Sequence, residues 1–443
     1  MRKLSTFAKL LQTKFASAAL RANEATGAVK RNRKFTAISL AQSYVLAFLA
    51  KPAAGLPQIA DTAAALGVDV SVQAIQQRSV ADLGAFFRML FHEMLQVVVQ
   101  SDTAMAEFLN RFTEVRLMDS SVISLPASQS EEFLGGGVKN GHVISSMRLQ
   151  TELDLASGRL CGIQIESGRQ TDQGTDRQHL RPPAGSLRIT DLGYFNLSVF
   201  AMIHAAGAYF LSRTQHTVSV TVQGKTLNLI AFLRSQGSGR IDREVVLGTK
   251  NKLACRLIAW RVPEDIENRR RRKLRQSCAD RGCNVTKAAL ESCSWEYLIT
   301  NLREEQLSFE EAIILYRSRW QIELLFKRWK THCQIDLLDG CNDESTMMRL
   351  WIRLCGAILQ HWLTVAIAWP MAKTISFDQL ARLIQEMAWT IATRLNQSTA
   401  ELSKFLAQLQ CRAKRRCRRT KRKAKPGTVE MLDDTRLLDF TLS

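Results

Sequence analysis

Apolar side chains recur at helical spacing through residues 1–110, a stretch rich in Ala, Leu and Gln with few strand signals, so this region is expected to be all-α. Within it, Leu56–Leu66 has helical character and Gly67 offers a stop. Ser71 can then cap a second helix running through Ile75, Gln76 and Arg78 and onward. The pair predicts a helix-turn-helix. Gln73, Gln76, Gln77 and Arg78 are side-chain types that reach base edges or phosphates in a major groove.

From Glu114 the period shortens to two. Val115–Met118, Val122–Leu125, Ser146–Asp154 and Leu160–Glu166 alternate or run apolar between Gly, Ser and Asp, which predicts a β-meander. A loop rich in Gly, Gln and Asp (167–185) leads to a strand at Ser186–Thr190, a helix at Leu197–Ala205 and a strand at Ala208–Ser212. Three strands, a fourth strand, a helix and a fifth strand is the layout of a ribonuclease-H-like α/β core. Thr217–Thr221, Thr226–Phe232, Ile241–Leu247 and Leu253–Arg261 are further strand-like runs that do not belong to a minimal core. They read as an inserted β-subdomain, closed by the basic helical segment Glu264–Gln276 and a strand at Tyr297–Thr300. Helical periodicity returns at Phe309 and continues to about Leu409. The expected organisation is therefore a helical DNA-binding region (1–110), the first part of the α/β core (111–213), a β-rich insertion (214–302), the remaining core helices (303–409) and a basic tail (410–443). The most apolar stretch, Leu354–Trp369, contains Gln360 and His361 and is too short for a clean bilayer span. It reads as a buried core helix, and no membrane span is expected.

Charge sharpens the picture. The net charge of +20 is concentrated: residues 1–35 carry nine Lys/Arg against one Glu, Arg269–Arg275 has six basic residues in seven, and Cys411–Lys425 has ten in fifteen. Those segments together hold +24, which leaves the rest of the chain near −4. A near-neutral body with three cationic patches fits a polyanion binder. The last patch, just before Pro426-Gly427, reads as a mobile tail. Ten cysteines occur without a secretory signal, since Met1–Arg21 is basic and amphipathic but lacks an apolar core and a small-residue cleavage site. A reducing cytoplasm is expected. Cys278, Cys283 and Cys293 lack the paired short-gap spacing of a zinc site.

Chemistry concentrates in Tyr316–Lys330, which holds good helix formers and no Gly or Pro and is expected to be one continuous helix. Tyr316, Arg319, Glu323 and Lys330 would then lie along one narrow stripe, presenting a phenol, a carboxylate and two cations. This Tyr-x2-Arg-x3-Glu-x6-Lys spacing resembles the signature of the insertion-sequence-four family of DDE transposases. The neighbouring Trp320, Ile322, Phe326 and Lys327 are similar to the family's run as well. The resemblance covers about residues 55–370. It asks for two upstream aspartates at strand ends, and Asp119 in Leu117-Met118-Asp119-Ser120-Ser121 and Asp191 in Ile189-Thr190-Asp191-Leu192-Gly193-Tyr194-Phe195 match the family's segments. Leu192 departs from them, standing where a basic residue is common.

The resemblance implies that Asp119, Asp191 and Glu323 are catalytic and hold divalent metal. Two ions can stabilise charge on the attacking and leaving oxygens of a phosphodiester, and carboxylate oxygens suit Mg²⁺ or Mn²⁺. It implies further that Tyr316, Arg319, Lys330 and Arg213 contact phosphates. The partners implied are double-stranded DNA, as terminal inverted repeats and target, and a second copy of the chain in a dimeric DNA complex. Relatives that close each end into a hairpin hold an extruded base on an aromatic side chain at the last strand of the insertion, where Trp295 stands here and Tyr297 competes. The alternatives are a transposase-derived helix-turn-helix protein that binds DNA without catalysis and a nuclease without strand transfer.

Overall fold

The computed structural model describes residues 2–30, 34–139, 142–420, 427–434 and 436. Helices form first, where the spacing predicts them: α1 (Arg2–Thr26), α2 (Ala37–Ala50), α3 (Leu56–Ala65), α4 (Val72–Gln76) and α5 (Val80–Leu95). Ser71 caps α4 as expected, accepting the Ala74 N–H at 3.2 Å. The helix does not run on. Ser79 accepts the Asp82 N–H at 3.2 Å and starts α5 afresh, so α4 is a five-residue turn. Arg78 lies in the link, with its guanidinium 4.9 Å from the centroid of the Phe35 ring.

Alternation then takes over with β1 (Val115–Leu125), β2 (Leu134–Lys139), β3 (His142–Asp154), β4 (Leu160–Ser167), α6 (Asp176–His179), β5 (Leu187–Thr190), α7 (Leu197–Ala205) and β6 (Tyr209–Arg213). Two expected short strands are one, β1, and the glycine-rich β2 carried no strand signal. The next elements are β7 (Ser219–Val222), β8 (Lys225–Asn228), α8 (Leu229–Ser235), β9 (Arg240–Leu247), β10 (Leu253–Arg261), α9 (Glu264–Asp280), α10 (Lys287–Ser292) and β11 (Trp295–Thr300). The run Thr226–Phe232, expected as a strand, splits at Asn228, whose side chain caps α8 by accepting the Ala231 N–H at 2.8 Å. The chain closes with α11 (Phe309–Arg317), α12 (Trp320–His332), α13 (Asp343–Ala368), α14 (Phe377–Glu386), α15 (Ala388–Leu395), α16 (Thr399–Arg416) and α17 (Thr428–Met431).

Two compact units emerge, Met1–Met105 with Ser120–Gln170 and Glu323–Lys421, and Ala106–Asp119 with Thr171–Ile322 and Arg422–Ser443. In the first, the amino-terminal helices share a core with α13–α16. Helix α13 packs on α5 and α2, and α1 packs on α5 and α16. Among the described residues, Asp343–Met371 is the one segment long and apolar enough to cross a membrane, and 94% of its apolar window is buried, as expected for a core helix. The expected mobile tail starts instead as helix: Leu402, Leu406, Leu409 and Ala413 bury one face of α16, so Cys411–Arg416 is ordered helix. Lys421–Lys425 lies outside the described residues. In the same unit β2, β3 and the second half of β1 pair in that order, with β4 on β3.

The second unit is built on a mixed sheet. The first half of β1, β5 and β6 are parallel, and β11, β10, β9, β7 and β8 continue from β6 in that order as antiparallel strands. The strands expected as an insertion thus extend the sheet through β11. One face is covered by α7 and α8, whose Val199, Phe200, Ile203, Leu229, Phe232 and Leu233 pack on Phe210, Leu257 and Ile299. Helix α9 has no apolar face; Cys278 is its one buried residue. It ends in a Schellman motif, Cys283 N–H to Cys278 O at 2.9 Å and Gly282 N–H to Ala279 O at 3.0 Å, with Gly282 at φ +64°.

Gly158, in the first unit, is fixed both by its backbone and by its neighbours. Gly158 has φ +76°, a Cβ there would meet Trp369 Cδ2 at 2.5 Å, and its carbonyl accepts the His361 Nε2–H at 2.7 Å. Left-handed backbone and overpacking both penalise a side chain. Gly158→Ala is expected to destabilise the protein by about 2–4 kcal/mol. Urea denaturation should show a lower midpoint at unchanged slope, and an unchanged midpoint would refute this reading of the turn.

Candidate active site

Parallel pairing fixes the geometry of the site. Strands β1 and β5 pair with Val115 opposite Leu187, Arg116 opposite Arg188 and Leu117 opposite Ile189. The pairing ends two residues short of Asp119 and Asp191, and continued along the same register it would set the two carboxylates level. Strands β5 and β6 pair through Thr190 opposite Ser212, so one further step brings Arg213 level with Asp191. Asp119, Asp191 and Arg213 thus lie just beyond the paired residues of three neighbouring strands. Beneath them Thr190 donates to the Ser212 hydroxyl at 3.1 Å, and both residues are buried.

Asp191 stands where β5 ends, as expected. Its Oδ1 accepts the Leu192 N–H at 2.7 Å and the Tyr316 hydroxyl at 3.2 Å. Asp119 differs from the expectation of a strand end, because β1 runs on to Leu125. Its Oδ2 accepts Arg319 Nη1–H at 3.1 Å, with the two side chains only 20% and 14% exposed. The exposed Leu192 adds no charge beside Asp191.

Tyr316 and Arg319 reach these two aspartates because the chain bends between them. The continuous helix expected over Tyr316–Lys330 is broken at Ser318-Arg319. Ser318 is fully buried and its hydroxyl donates to Leu315 O at 2.5 Å. Its N–H is shared between Ile314 O and Leu315 O, and those of Arg319, Gln321 and Ile322 bond three residues back, tightening the chain into a turn. Tyr316 thus closes α11, Arg319 sits in the turn, and Glu323 falls in the first turn of α12, where the helix dipole favours a carboxylate. Lys330 lies in the last turn of α12, its Nζ 3.5 Å from Val122 O, at the outer limit of a hydrogen bond.

Burial, reinforced by the negative Asp191, pushes the Tyr316 phenol well above its ordinary value of 10.0, while Arg213 and Arg319 oppose the shift. The phenol stays protonated and serves as a donor. For Arg213, burial opposes the charge, but Glu296 with Tyr316 and Asp191 outweighs it and holds the guanidinium above its ordinary value. Glu296 escaped the sequence reading. It is ion-paired with both Arg213 and Arg270, and strand alternation, which sets it on the face opposite Trp295, was the signal available for it.

Trp295 itself is 5% exposed and belongs to the apolar cluster under α7 and α8, with the Arg261 guanidinium 4.6 Å from its ring centroid. Tyr297 packs at the edge of the same cluster and is half-buried, and burial pushes its phenol up to about 12. Gln76 is exposed at the end of α4 and Arg78 is half-buried beside Phe35. Among the described residues no three His, Cys, Asp or Glu side chains form a ready ion cage. Asp119 and Asp191 are the carboxylates that strand pairing sets side by side, and as hard-oxygen donors they fit Mg²⁺ or Mn²⁺.

Comparison with known proteins bears on this arrangement. Residues 110–359 match the family described as transposase DDE domain. The chain is similar to the transposase for insertion sequence element IS231B of Bacillus thuringiensis subsp. berliner, 24% identical over 415 residues, or 86% of this chain and 85% of that one. It is similar to the IS231C transposase of the same subspecies, 24% identical over 439 residues covering 92% and 90%. It is similar also to the transposase for IS1151 of Clostridium perfringens, 24% identical over 269 residues and 56% of each chain.

A raised phenol has a sign that can be measured. The folded state keeps the Tyr316 proton when the unfolded chain has lost it, so stability is full below pH 10, the ordinary tyrosine value, and falls as pH climbs above it. In Tyr316→Phe this part of the alkaline loss should vanish. Denaturation midpoints of the two proteins between pH 9 and 11 (roughly the window around the ordinary tyrosine pKa) should converge with rising pH; parallel curves would mean that the phenol is not held by its surroundings.

Proposed function

The chain belongs to the transposase DDE family, and on that premise we propose that it is the enzyme of an insertion sequence of the insertion-sequence-four type, cutting its element free and joining it to new DNA. The observation that best supports this reading is the pair Asp119 and Asp191, each held by one residue of the Tyr-x2-Arg-x3-Glu-x6-Lys signature. We read the parallel strands β1, β5 and β6 with the preceding meander as a ribonuclease-H-like core and β7–β11 with α8–α10 as its insertion.

Asp119, Asp191 and Glu323 would hold Mg²⁺ or Mn²⁺, which when bound lowers the pKa of the attacking water or hydroxyl and stabilises charge on both reacting oxygens. The remaining work falls to the chain's own groups. Tyr316 donates to Asp191 and fixes the orientation of that carboxylate. Arg319 keeps two neighbouring carboxylates from repelling each other by neutralising Asp119. Arg213, Arg319 and Lys330 supply cations for the phosphates on either side of the cut. Such groups act by positioning and by electrostatic stabilisation of charge that grows in the transition state. End recognition falls to the α3–α4 pair, where Gln76 and Arg78 contact the terminal repeat. With only five residues, α4 spans about 7.5 Å, so its contacts are limited to a few bases. Two copies would pair the two ends in the DNA complex.

Asp119→Asn, Asp191→Asn and Glu323→Gln should each abolish strand cleavage on a plasmid carrying the element while leaving end binding within about twofold, since no phosphate-binding cation is removed. The result separates an enzyme from a DNA-binding descendant without catalysis. Cleavage at the wild-type rate in any one of the three would sink the assignment.

Excision through hairpin ends needs an aromatic for the extruded base, and Trp295 and Tyr297 are the candidates. Burial divides them. Trp295→Ala opens a cavity in the cluster, at a cost of about 3–5 kcal/mol, so nicking and hairpin closure should fall together. A stacked base contributes about 1–3 kcal/mol. If Tyr297 holds it, Tyr297→Ala keeps the first nick and slows hairpin closure by roughly tenfold or more. Normal hairpin closure by Tyr297→Ala would return the role to Trp295.

A further inference from the structure

Glu296 occupies an unusual place. It projects from β11 with 15% of its side chain exposed, and its two oxygens are taken by different elements: Oε1 by Arg213 at the end of β6, Oε2 by Arg270 of α9. Arg270 is anchored a second time, its Nη1–H donating to Trp295 O at 3.0 Å. Arg317, in the last turn of α11, feels the same carboxylate. Two guanidinium groups thus grip one carboxylate with a third in its electrostatic reach, and the first of them, Arg213, also feels Asp191 and Tyr316. Arg213 and Arg270 remain 36% and 31% exposed above the more buried Glu296.

We propose that Arg213 and Arg270, tied together through Glu296, form a two-guanidinium clamp for a phosphodiester of the DNA strand, with Glu296 as its positioning residue. This deepens the reading of the Asp119–Asp191 row as the reaction centre and rests on it. A planar guanidinium presents five donors, so each arginine can give one edge to Glu296 and keep others for phosphate oxygens. Holding both with one carboxylate fixes their spacing before DNA arrives, and pre-set geometry is what a positioned phosphate needs. The clamp also explains why a helix without an apolar face stays attached to the sheet. Helix α9 is held at Arg270, while Arg269, Arg272, Lys273 and Arg275 remain exposed to track the strand beyond.

The test uses full-length wild type, Arg270→Gln and Glu296→Gln, each checked for an unchanged unfolding midpoint. Binding is read on a fluorescent 30-base-pair duplex of arbitrary sequence (about three helical turns) as a function of NaCl, and cleavage on a supercoiled plasmid carrying the coding region with its native flanks. Arg270→Gln should lower the slope of log K against log salt by about 0.9, one phosphate contact. Glu296→Gln should bind at least as tightly, having lost a negative charge next to the DNA. Its cleavage rate at saturating protein should fall on the order of tenfold to a hundredfold, the cost of loosening a positioned group. A merely structural role would lower affinity, rate and midpoint together. An unchanged slope for Arg270→Gln overturns the clamp, and wild-type cleavage by Glu296→Gln overturns the positioning role. Failure of the wild type itself to cleave would sink the proposed enzyme and leave the clamp to be judged on the salt slope alone.

Discussion

Everything at the site depends on the register of three parallel strands. Because β1, β5 and β6 run in the same direction and pair without a bulge at Leu117, Ile189 and Leu211, the same register continued would set the residues that follow in a row. That row is Asp119, Asp191 and Arg213. A slip of one residue would turn each side chain to the other face and separate the carboxylates. The apolar residues before them, Leu117, Ile189 and Leu211, are completely buried, so burial is what locks the register.

Two carboxylates side by side repel, and the chain answers with the turn at Ser318-Arg319. A straight helix would have carried Tyr316 and Arg319 along one stripe. The turn instead lets α11 deliver the phenol to Asp191 while the link delivers the guanidinium to Asp119. Charge balance then extends outward along the strands: Arg213 answers Asp191, Glu296 answers Arg213, and Arg270 brings the basic helix α9 into the same network. The Arg213–Asp191 step is electrostatic and the two steps through Glu296 are ion pairs, within a sheet whose other face is packed by α7 and α8.

What the sequence made legible follows the same physics. Asp191, Tyr316, Arg319 and Arg213 were readable because strand ends and signature spacing are local patterns, and the structure brings these four together with Asp119. The break at Ser318 was hidden because no Gly or Pro marks it; a buried serine bonding back to Leu315 is a tertiary outcome. The same holds for α4, whose early end comes from competition between the Ser71 and Ser79 caps, and for α8, where Asn228 turned an apolar run from strand to helix. The resemblance points to Trp295 as the aromatic on the last strand of the insertion, but facing is decided by alternation along β11, which turns it under α8. Alternation could have set the facing of Glu296, but its two partners could not be found from spacing, since they lie 83 and 26 residues away.

The central claim is that Asp119 and Asp191 together make the metal-binding floor of a DNA-cutting site. Anomalous X-ray scattering from crystals of the full-length protein grown with Mn²⁺ tests it most directly. The account predicts an anomalous peak within ligand distance, about 2.1 Å, of a carboxylate oxygen from each of the two aspartates. Mn²⁺ bound elsewhere, with neither Asp119 nor Asp191 among its ligands, would contradict it.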